Sequence, residues 1–369
     1  MTESYIEDLK QYFEKAGAAK VFVVCGKRSF ELCGAKDDFS PLEDLYSFYY
    51  FNNYGKNISL EDLQQGIQEF TAFKPDVIIA VGGGSAIDMS KLIKAYAHNV
   101  SDLKSTIVNN QSYTIRSLPL VSLPTTAGSG SESTHFAVIY VDGVKYSVAD
   151  KGLTPNKVLL VPKFIYKAPV SVMGPCISDA LVQAIESYWA VGADDKSRSY
   201  ARKALGKIIP NFKKAINGDK EARAELQQGA HFAGKAINIS KTTAAHAYSY
   251  SLSLNYNIVH GHAVGLMLEI LFRYVENRSD DSHKKLQSTL DELKSCLECD
   301  GQSLAVRWQE IMLECCLETS WWRLFGENES LADLVVENVN QQRLANNPFD
   351  ISPQQLKELI VQKINPKDV

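Results

Sequence analysis

The chain has 369 residues, of which 45% are hydrophobic and 22% charged, with a formal net charge of −4. That length exceeds one ordinary core, so two domains of a globular protein are expected. The acidic balance gives no electrostatic footprint for nucleic acid, and no apolar run approaches the roughly 20 residues that span a bilayer, so neither is an expected partner.

The opening MTESYIEDLKQYFEKAG lacks a signal-peptide apolar region, and Ser4 to Ala16 reads as an amphipathic helix with Ile6, Leu9, Tyr12 and Phe13 on one face. Lys20 to Cys25 (KVFVVC) is a buried-strand run that ends at Gly26. Tyr46 to Asn52 is aromatic and β-prone, and Leu60 to Phe73 alternates at helical period. Asp76 to Val81 is continuously apolar, as strands buried on both faces require, and runs into Gly82-Gly83-Gly84-Ser85 before a helix at Ala86 to Ala97. Leu118 to Leu123 is a further strand, followed by a glycine- and hydroxyl-rich loop from Pro124 to Glu132. Phe136 to Val141 and Val158 to Val161 complete a Rossmann-like α/β domain with a parallel sheet over residues 1–163.

Beyond Lys163 helical patterns take over: Ser178 to Ala190, Asp195 to Ala215, Lys220 to Ala236, Ala263 to Val275, Ser282 to Cys296, Leu304 to Glu318, Leu331 to Asn340 and Pro353 to Ile364. Residues 164–369 are thus expected to form an all-α domain, with Pro155, Pro162, Pro169 and Pro175 punctuating the junction. The seven cysteines are odd in number and scattered, which fits reduced thiols in a cytoplasmic setting. Cys296 and Cys299 form a C-x-x-C inside a helical pattern, and it reads as structural.

Two stretches carry chemistry. The first is His231 to Phe272, which holds four of the seven histidines. His246 sits near the end of an Ala-rich helical segment, Ser249 to Ile258 reads as a loop, and His260 and His262 open the next helix. Two helix ends so joined bring imidazoles together and suit a metal, the alternative being satisfied helix-terminal histidines. The second is the glycine triplet between strand and helix, which offers free backbone N–H groups and a positive helix end to an anion. It is neither G-x-G-x-x-G nor a Walker A loop. With the second loop, Thr125 to Ser131, it favours a dinucleotide over two plain tight turns.

The runs VGGGSAIDMSK (81–91), PTTAGSGSE (124–132) and DALVQAIES (179–187), followed by His246 and His260, resemble the iron-containing alcohol dehydrogenase family. That resemblance implies a nucleotide domain, a helical domain and a divalent metal, Fe²⁺ or Zn²⁺, in the cleft between them. Residues 234–250, 260–266, Asn338 and 341–348 (QQRLANNP) most resemble the phosphonoacetaldehyde reductase branch. The implied metal positions are Asp179, Gln183, His246 and His260, and Gln183 stands where the family has a histidine. Either Asp179, His246 and His260 hold the ion with water or substrate completing it, or the metal is weak or absent. The implied nucleotide positions are Gly26, Lys27, Gly82, Gly83, Gly84, Ser85, Asp88, Thr125, Thr126, Ser129 and Lys145.

NAD-preferring relatives carry an aspartate after the first strand. Here the turn is Cys25-Gly26-Lys27-Arg28-Ser29, with two cations and no carboxylate, which favours NADP(H) over NAD(H). Tyr250, at a position where several relatives have histidine, and His262 are candidate proton carriers. Lys241 is the candidate cation for a phosphonate, with Arg198 and Lys235 as alternatives. The expected reaction is reduction of an aldehyde to a primary alcohol, phosphonoacetaldehyde to 2-hydroxyethylphosphonate foremost. A general alcohol or polyol dehydrogenase, a lyase like the dehydroquinate synthases, or a dead site are the alternatives. The resemblance also implies a homo-oligomer.

Overall fold

Successive residues of an extended chain point to opposite faces, so a strand apolar at every position must be covered on both sides. In chain order the first part of the molecule runs α1 (Thr2–Ala16), β1 (Lys20–Cys25), α2 (Ser29–Leu32), α3 (Ala35–Glu43), β2 (Ser47–Phe51), α4 (Leu60–Phe73), β3 (Val77–Gly82), α5 (Gly84–Tyr96), α6 (Leu103–Val108), β4 (Leu120–Pro124), β5 (Phe136–Val141), β6 (Val144–Ala149) and β7 (Lys157–Val158). A parallel five-stranded sheet has the order β2-β1-β3-β4-β7. Phe22, Val24, Ile78, Ala80 and Leu120 pack on one face with Leu63 and Phe70 of α4 and Ile87, Leu92 and Ile93 of α5. Val21, Val23, Ile79, Val81 and Val121 pack on the other with Leu9 and Phe13 of α1 and Phe39 of α3. The computed structural model describes residues 2–98, 102–111, 113–115, 117–278, 281–328, 330–337, 339 and 341–364. It separates into two units, Met1–Ala168 and Pro169–Val369.

The second unit is helical among its described residues: α7 (Val170–Trp189), α8 (Asp195–Ile208), α9 (Phe212–Ile216), α10 (Lys220–Ser240), α11 (Ala244–Asn255), α12 (His260–Glu276), α13 (Asp281–Cys296), α14 (Leu304–Glu314), α15 (Trp321–Phe325), α16 (Ser330–Glu337), α17 (Gln341–Leu344) and α18 (Pro353–Ile364). Helix α7 is buried almost throughout from Met173 to Trp189 and packs against α8, α10 and α12.

Several elements differ from the sequence expectation. Phe136–Val141 is not part of the parallel sheet. It pairs antiparallel with β6, because Asp142 and Gly143, both with positive φ, form a two-residue turn that sends the chain straight back. Helix α7 begins at Val170 and carries Pro175 inside it, at the loss of one helical hydrogen bond, instead of starting at Ser178. The run Asp195 to Ala215 is two helices broken around Pro210, which has no N–H to continue the ladder. Helix α14 stops at Glu314, before Cys316 with φ +59°. Asn338 and Asn340 lie outside the described residues. The largest difference concerns His246. Helix α10 ends at Ser240, Lys241 takes φ +63°, and a new helix starts at Ala244, so His246 lies in the first turn of α11 and Ser249 to Asn255 is helical instead of a loop.

In the first unit, α5 is locked to the loop beyond β4 by a buried charge. Lys91 Nζ shares its three N–H groups among Ser131 O (2.6 Å), Ser131 Oγ (3.1 Å), Thr134 Oγ1 (3.0 Å) and Phe136 O (2.8 Å). Burial pushes its pKa down to about 8, although the Asp88 carboxylate pulls the other way. Lys91→Met leaves these oxygens without their donor, and denaturant unfolding is expected to show a loss of about 3 kcal/mol. The folded protein releases this proton before the unfolded chain does. The stability gap between wild type and Lys91→Met therefore widens as pH rises from about 8 towards the ordinary lysine value of 10.5.

Candidate metal centre and nucleotide loops

Residues four and seven apart on a helix share a face, and α7 uses that spacing to aim Asp179, Gln183 and Glu186 the same way. All three are buried. Glu186 meets the first turn of α11, whose N-cap Thr243 makes no side-chain cap of its own. Its Oε1 accepts from Thr243 Oγ1 (2.8 Å), Ala245 N (2.7 Å) and His246 N (3.3 Å). Its Oε2 lies 2.5 Å from His246 Nδ1. A carboxylate from another helix thus caps α11 and occupies one ring nitrogen of His246. The other nitrogen, Nε2, faces Asp179 Oδ1 at 3.3 Å.

His260 opens α12, and its ring centroid is 5.5 Å from that of His246. The close approach of α12 to α7 depends on a missing side chain. A Cβ on Gly261 would lie 1.9 Å from Pro175 O and 3.0 Å from Asp179 Cβ, while Ser178 Oγ donates to Gly261 O at 2.7 Å. The ligating atoms of Asp179, His246 and His260 all lie within 4.8 Å of one another. One carboxylate and two imidazoles make a mixed donor set suited to Zn²⁺ or Fe²⁺, and Glu186 fixes the His246 tautomer as a carboxylate behind a metal-bound histidine does. Burial raises the Asp179 pKa, but the His246 hydrogen bond and the His260 charge outweigh it and hold the carboxyl below its ordinary range. Gln183 Nε2 donates to Asp179 Oδ1 at 3.0 Å, so the amide steadies the carboxylate.

The other residues marked in the sequence fall as follows. Tyr250 lies parallel to His260, centroids 5.9 Å apart and planes 8° apart. His262 Nε2 is 2.7 Å from Glu318 O, and burial lowers its pKa, which keeps it neutral. Lys241 is exposed at the α10–α11 break. Arg198 Nε donates to Tyr188 O (3.3 Å), and Lys235 lies over the Tyr200 and Phe232 rings. Asn346 holds the break in place. Its Nδ2 donates to Ser240 O (2.8 Å) and Thr242 O (3.1 Å), and its Oδ1 accepts from Gly192 N (2.9 Å). Cys296 and Cys299 are free, and burial pushes the Cys299 thiol up to about 11.

In the first unit the sheet order reverses direction between β1 and β3, where open α/β sheets place ligands beyond the carboxyl ends of their strands. Gly26 follows β1 and donates its N–H to Val81 O at 3.3 Å. The two glycine loops touch: a Cβ on Gly83 would lie 3.2 Å from Thr126 Cγ2, and one on Gly84 would lie 2.8 Å from Ser129 Oγ. Thr125 N donates to Gly82 O (2.9 Å), and Thr125 Oγ1 is buried with no hydrogen-bond partner. Ser85 Oγ donates to Lys56 O (2.6 Å), and Lys27 Nζ to Asn53 Oδ1 (3.3 Å). With the start of α5 at Gly84, this edge could cradle a pyrophosphate. Asp88 is turned elsewhere, accepting from Ser131 Oγ (2.5 Å) and Val138 N (3.0 Å), and Lys145 acts on it through its charge.

Sequence reasoning missed Glu186, although its seven-residue spacing from Asp179 is the signal that would have found it. It also passed over Arg343, which lies over the Tyr250 ring at 5.2 Å.

Residues 1–162 match the sequence model described as iron-containing alcohol dehydrogenase, and residues 176–364 the one described as the C-terminal part of the Fe-containing alcohol dehydrogenase family. Aldehyde-alcohol dehydrogenase 2 of Entamoeba histolytica is 32% identical over 58% of this chain and 26% of that protein, so the chain spans about a quarter of that relative's length. The 4-hydroxybutyrate dehydrogenase of Clostridium kluyveri is 31% identical over 74% of each chain. Phosphonoacetaldehyde reductase of Streptomyces viridochromogenes is 27% identical over 79% of this chain and 77% of that one. Among solved structures, sulfoacetaldehyde reductase from Bifidobacterium kashiwanohense in complex with NAD⁺ has the same fold, with a TM-score of 0.85 and 22% identity over 98% of this chain and 95% of that one.

Glu186→Gln is expected to weaken Zn²⁺ or Fe²⁺ binding about 10- to 100-fold, as read by competition with a chromophoric chelator. Gly261→Ala drives α12 off α7 and separates His260 from Asp179. It should cost roughly 3 kcal/mol in denaturant unfolding and lower the metal content after dialysis against the ion.

Proposed function

Because the chain belongs to the iron-containing alcohol dehydrogenase family, whose members are metal-dependent, NAD(P)-linked alcohol and aldehyde oxidoreductases, we propose that it reduces an anion-bearing aldehyde, phosphonoacetaldehyde foremost, to the primary alcohol. The observation that carries this reading is the Asp179, His246 and His260 cluster with Glu186 behind it. These three residues are the proposed ligands of one divalent ion, Fe²⁺ or Zn²⁺, and Gln183 supports Asp179 from the next turn. When bound, the ion polarises the carbonyl as a Lewis acid and the reduced nicotinamide supplies the hydride.

The chain's own residues do the rest. Gly26, Gly82 to Ser85 and Thr125 to Ser129 offer backbone N–H groups and hydroxyls to the dinucleotide phosphates. Lys27 and Arg28 are exposed after β1, with no carboxylate from Cys25 to Ser29, which supports NADP(H) over NAD(H). Tyr250 Oη keeps its proton at neutral pH, because burial raises its pKa more than the neighbouring Arg343 lowers it. It can therefore hydrogen-bond to the oxygen of the forming alcohol and pass a proton to it. His262, neutral and tied to the Glu318 carbonyl, serves as a fixed neighbour. The anionic substrate class is supported by two relatives named for substrates that end in a carboxylate and a phosphonate. Seven free cysteines fit a reducing, cytoplasmic setting.

The test is NAD(P)H oxidation with phosphonoacetaldehyde and propionaldehyde. Chelation should abolish turnover, and added Fe²⁺ or Zn²⁺ should restore it in wild type but not in His246→Ala. NADPH should be preferred, and Lys27→Glu should shift the NADPH to NADH ratio by roughly tenfold towards NADH. Turnover confined to neutral aldehydes would discard the anionic substrate, and metal-independent turnover would discard the centre.

A further inference from the structure

A phosphonate or carboxylate that leaves water must find fixed donors, or its desolvation is uncompensated. Two cations of the helical unit lie beside the ligand-bearing segment. Lys241 is exposed at the helix break, where a mobile ammonium remains hydrated. Arg343, in α17, is half-buried and held on two sides. Its Nη1 donates to the buried Thr242 Oγ1 at 3.0 Å, and its guanidinium carbon lies 5.2 Å from the centroid of the Tyr250 ring. That ring is stacked on His260. Tyr250 thus touches both a proposed ligand, His260, and the planar fork of donors of Arg343. Asn346 secures the Thr242 carbonyl at 3.1 Å, so the anchor of the fork is fixed as well.

We infer that Arg343 is the specificity-determining residue that recognises the oxyanion head group of the aldehyde, while the carbonyl end faces Asp179, His246 and His260. A guanidinium presents five N–H donors in one plane; Thr242 and Tyr250 both engage that of Arg343, and its planar fork is the geometry that pairs with a phosphonate or carboxylate. This assignment rests on the proposed reduction of an anion-bearing aldehyde.

The experiment is steady-state kinetics of the metal-loaded enzyme with phosphonoacetaldehyde, succinic semialdehyde and propionaldehyde, for wild type, Arg343→Lys, Arg343→Met and Lys241→Ala. In Arg343→Met the ratio of kcat/KM for either anionic aldehyde over propionaldehyde should fall about 100-fold, mostly through KM. Arg343→Lys, which keeps the charge and loses the fork, should lie between the two. Methylphosphonate should compete with propionaldehyde in wild type and lose that competition in Arg343→Met. A ratio unchanged in Arg343→Met, or lost in Lys241→Ala instead, overturns the role of Arg343 while leaving the substrate class intact. A wild type that shows no preference for the anionic aldehydes overturns the substrate class and this assignment with it.

Discussion

A single buried carboxylate governs the helical unit. Glu186 has no solvent to stabilise its charge, so it must be met by donors, and α11 supplies four of them: the Thr243 hydroxyl, two backbone N–H groups and the His246 ring. Those N–H groups are the ones a helix start leaves without partners. One interaction therefore decides where α11 begins and which nitrogen of His246 is turned to Asp179. Helix α7 does the same for α12 one face-turn earlier, through the Ser178 hydroxyl and the bare backbone of Gly261. Two helices meet one, and the donor cluster is the product of those two contacts.

The glycine-loop edge of the parallel sheet is built on a different constraint. Gly82, Gly83 and Gly84 do not have positive φ, so backbone freedom does not explain them. They are required because side chains there would occupy the space of Ala86, Thr126 and Ser129. The glycines bring the two loops into contact, and the same lack of Cβ atoms leaves backbone N–H groups accessible to an anion. Asp88 and Lys91, which stand in the same sequence run, belong to the support of this edge: they tie α5 to residues 131–138.

The parallel sheet could be read from continuous apolar runs such as KVFVVC and DVIIAV, because burial on both faces leaves no alternation to misread. The helical unit was legible as a class, and Asp179, His246 and His260 could be picked out by resemblance. The largest error came where a distant group adds to local preference. AINISKTTAAHAYSY was read as one Ala-rich helical segment, although Thr242 and Thr243 before Ala244-Ala245 are residue types that start helices. The stop comes from Lys241 in a left-handed conformation and from Glu186, which lies 57 residues before Thr243 and caps the restart. The hairpin of β5 and β6 was a local signal left unread, since Asp142-Gly143 between apolar runs is a strong two-residue turn. Arg343 was visible only as part of a motif, since its partners Thr242 and Tyr250 lie about a hundred positions earlier.

Asn346 has a consequence for the order in which the molecule is completed during synthesis. It joins Gly192, at the end of the first helical segment, to Ser240 and Thr242, yet it is made 154 residues after Gly192. Domains tend to acquire their structure as units, the earlier one first, as the chain leaves the ribosome. The glycine loops after β3 and β4 lie within the first unit, Met1–Ala168, which is synthesised before the helical unit. The break that precedes His246 receives its last restraint only when Asn346 has left the exit tunnel. The chain order thus lets the glycine loops be complete before Asn346 can restrain the break ahead of His246.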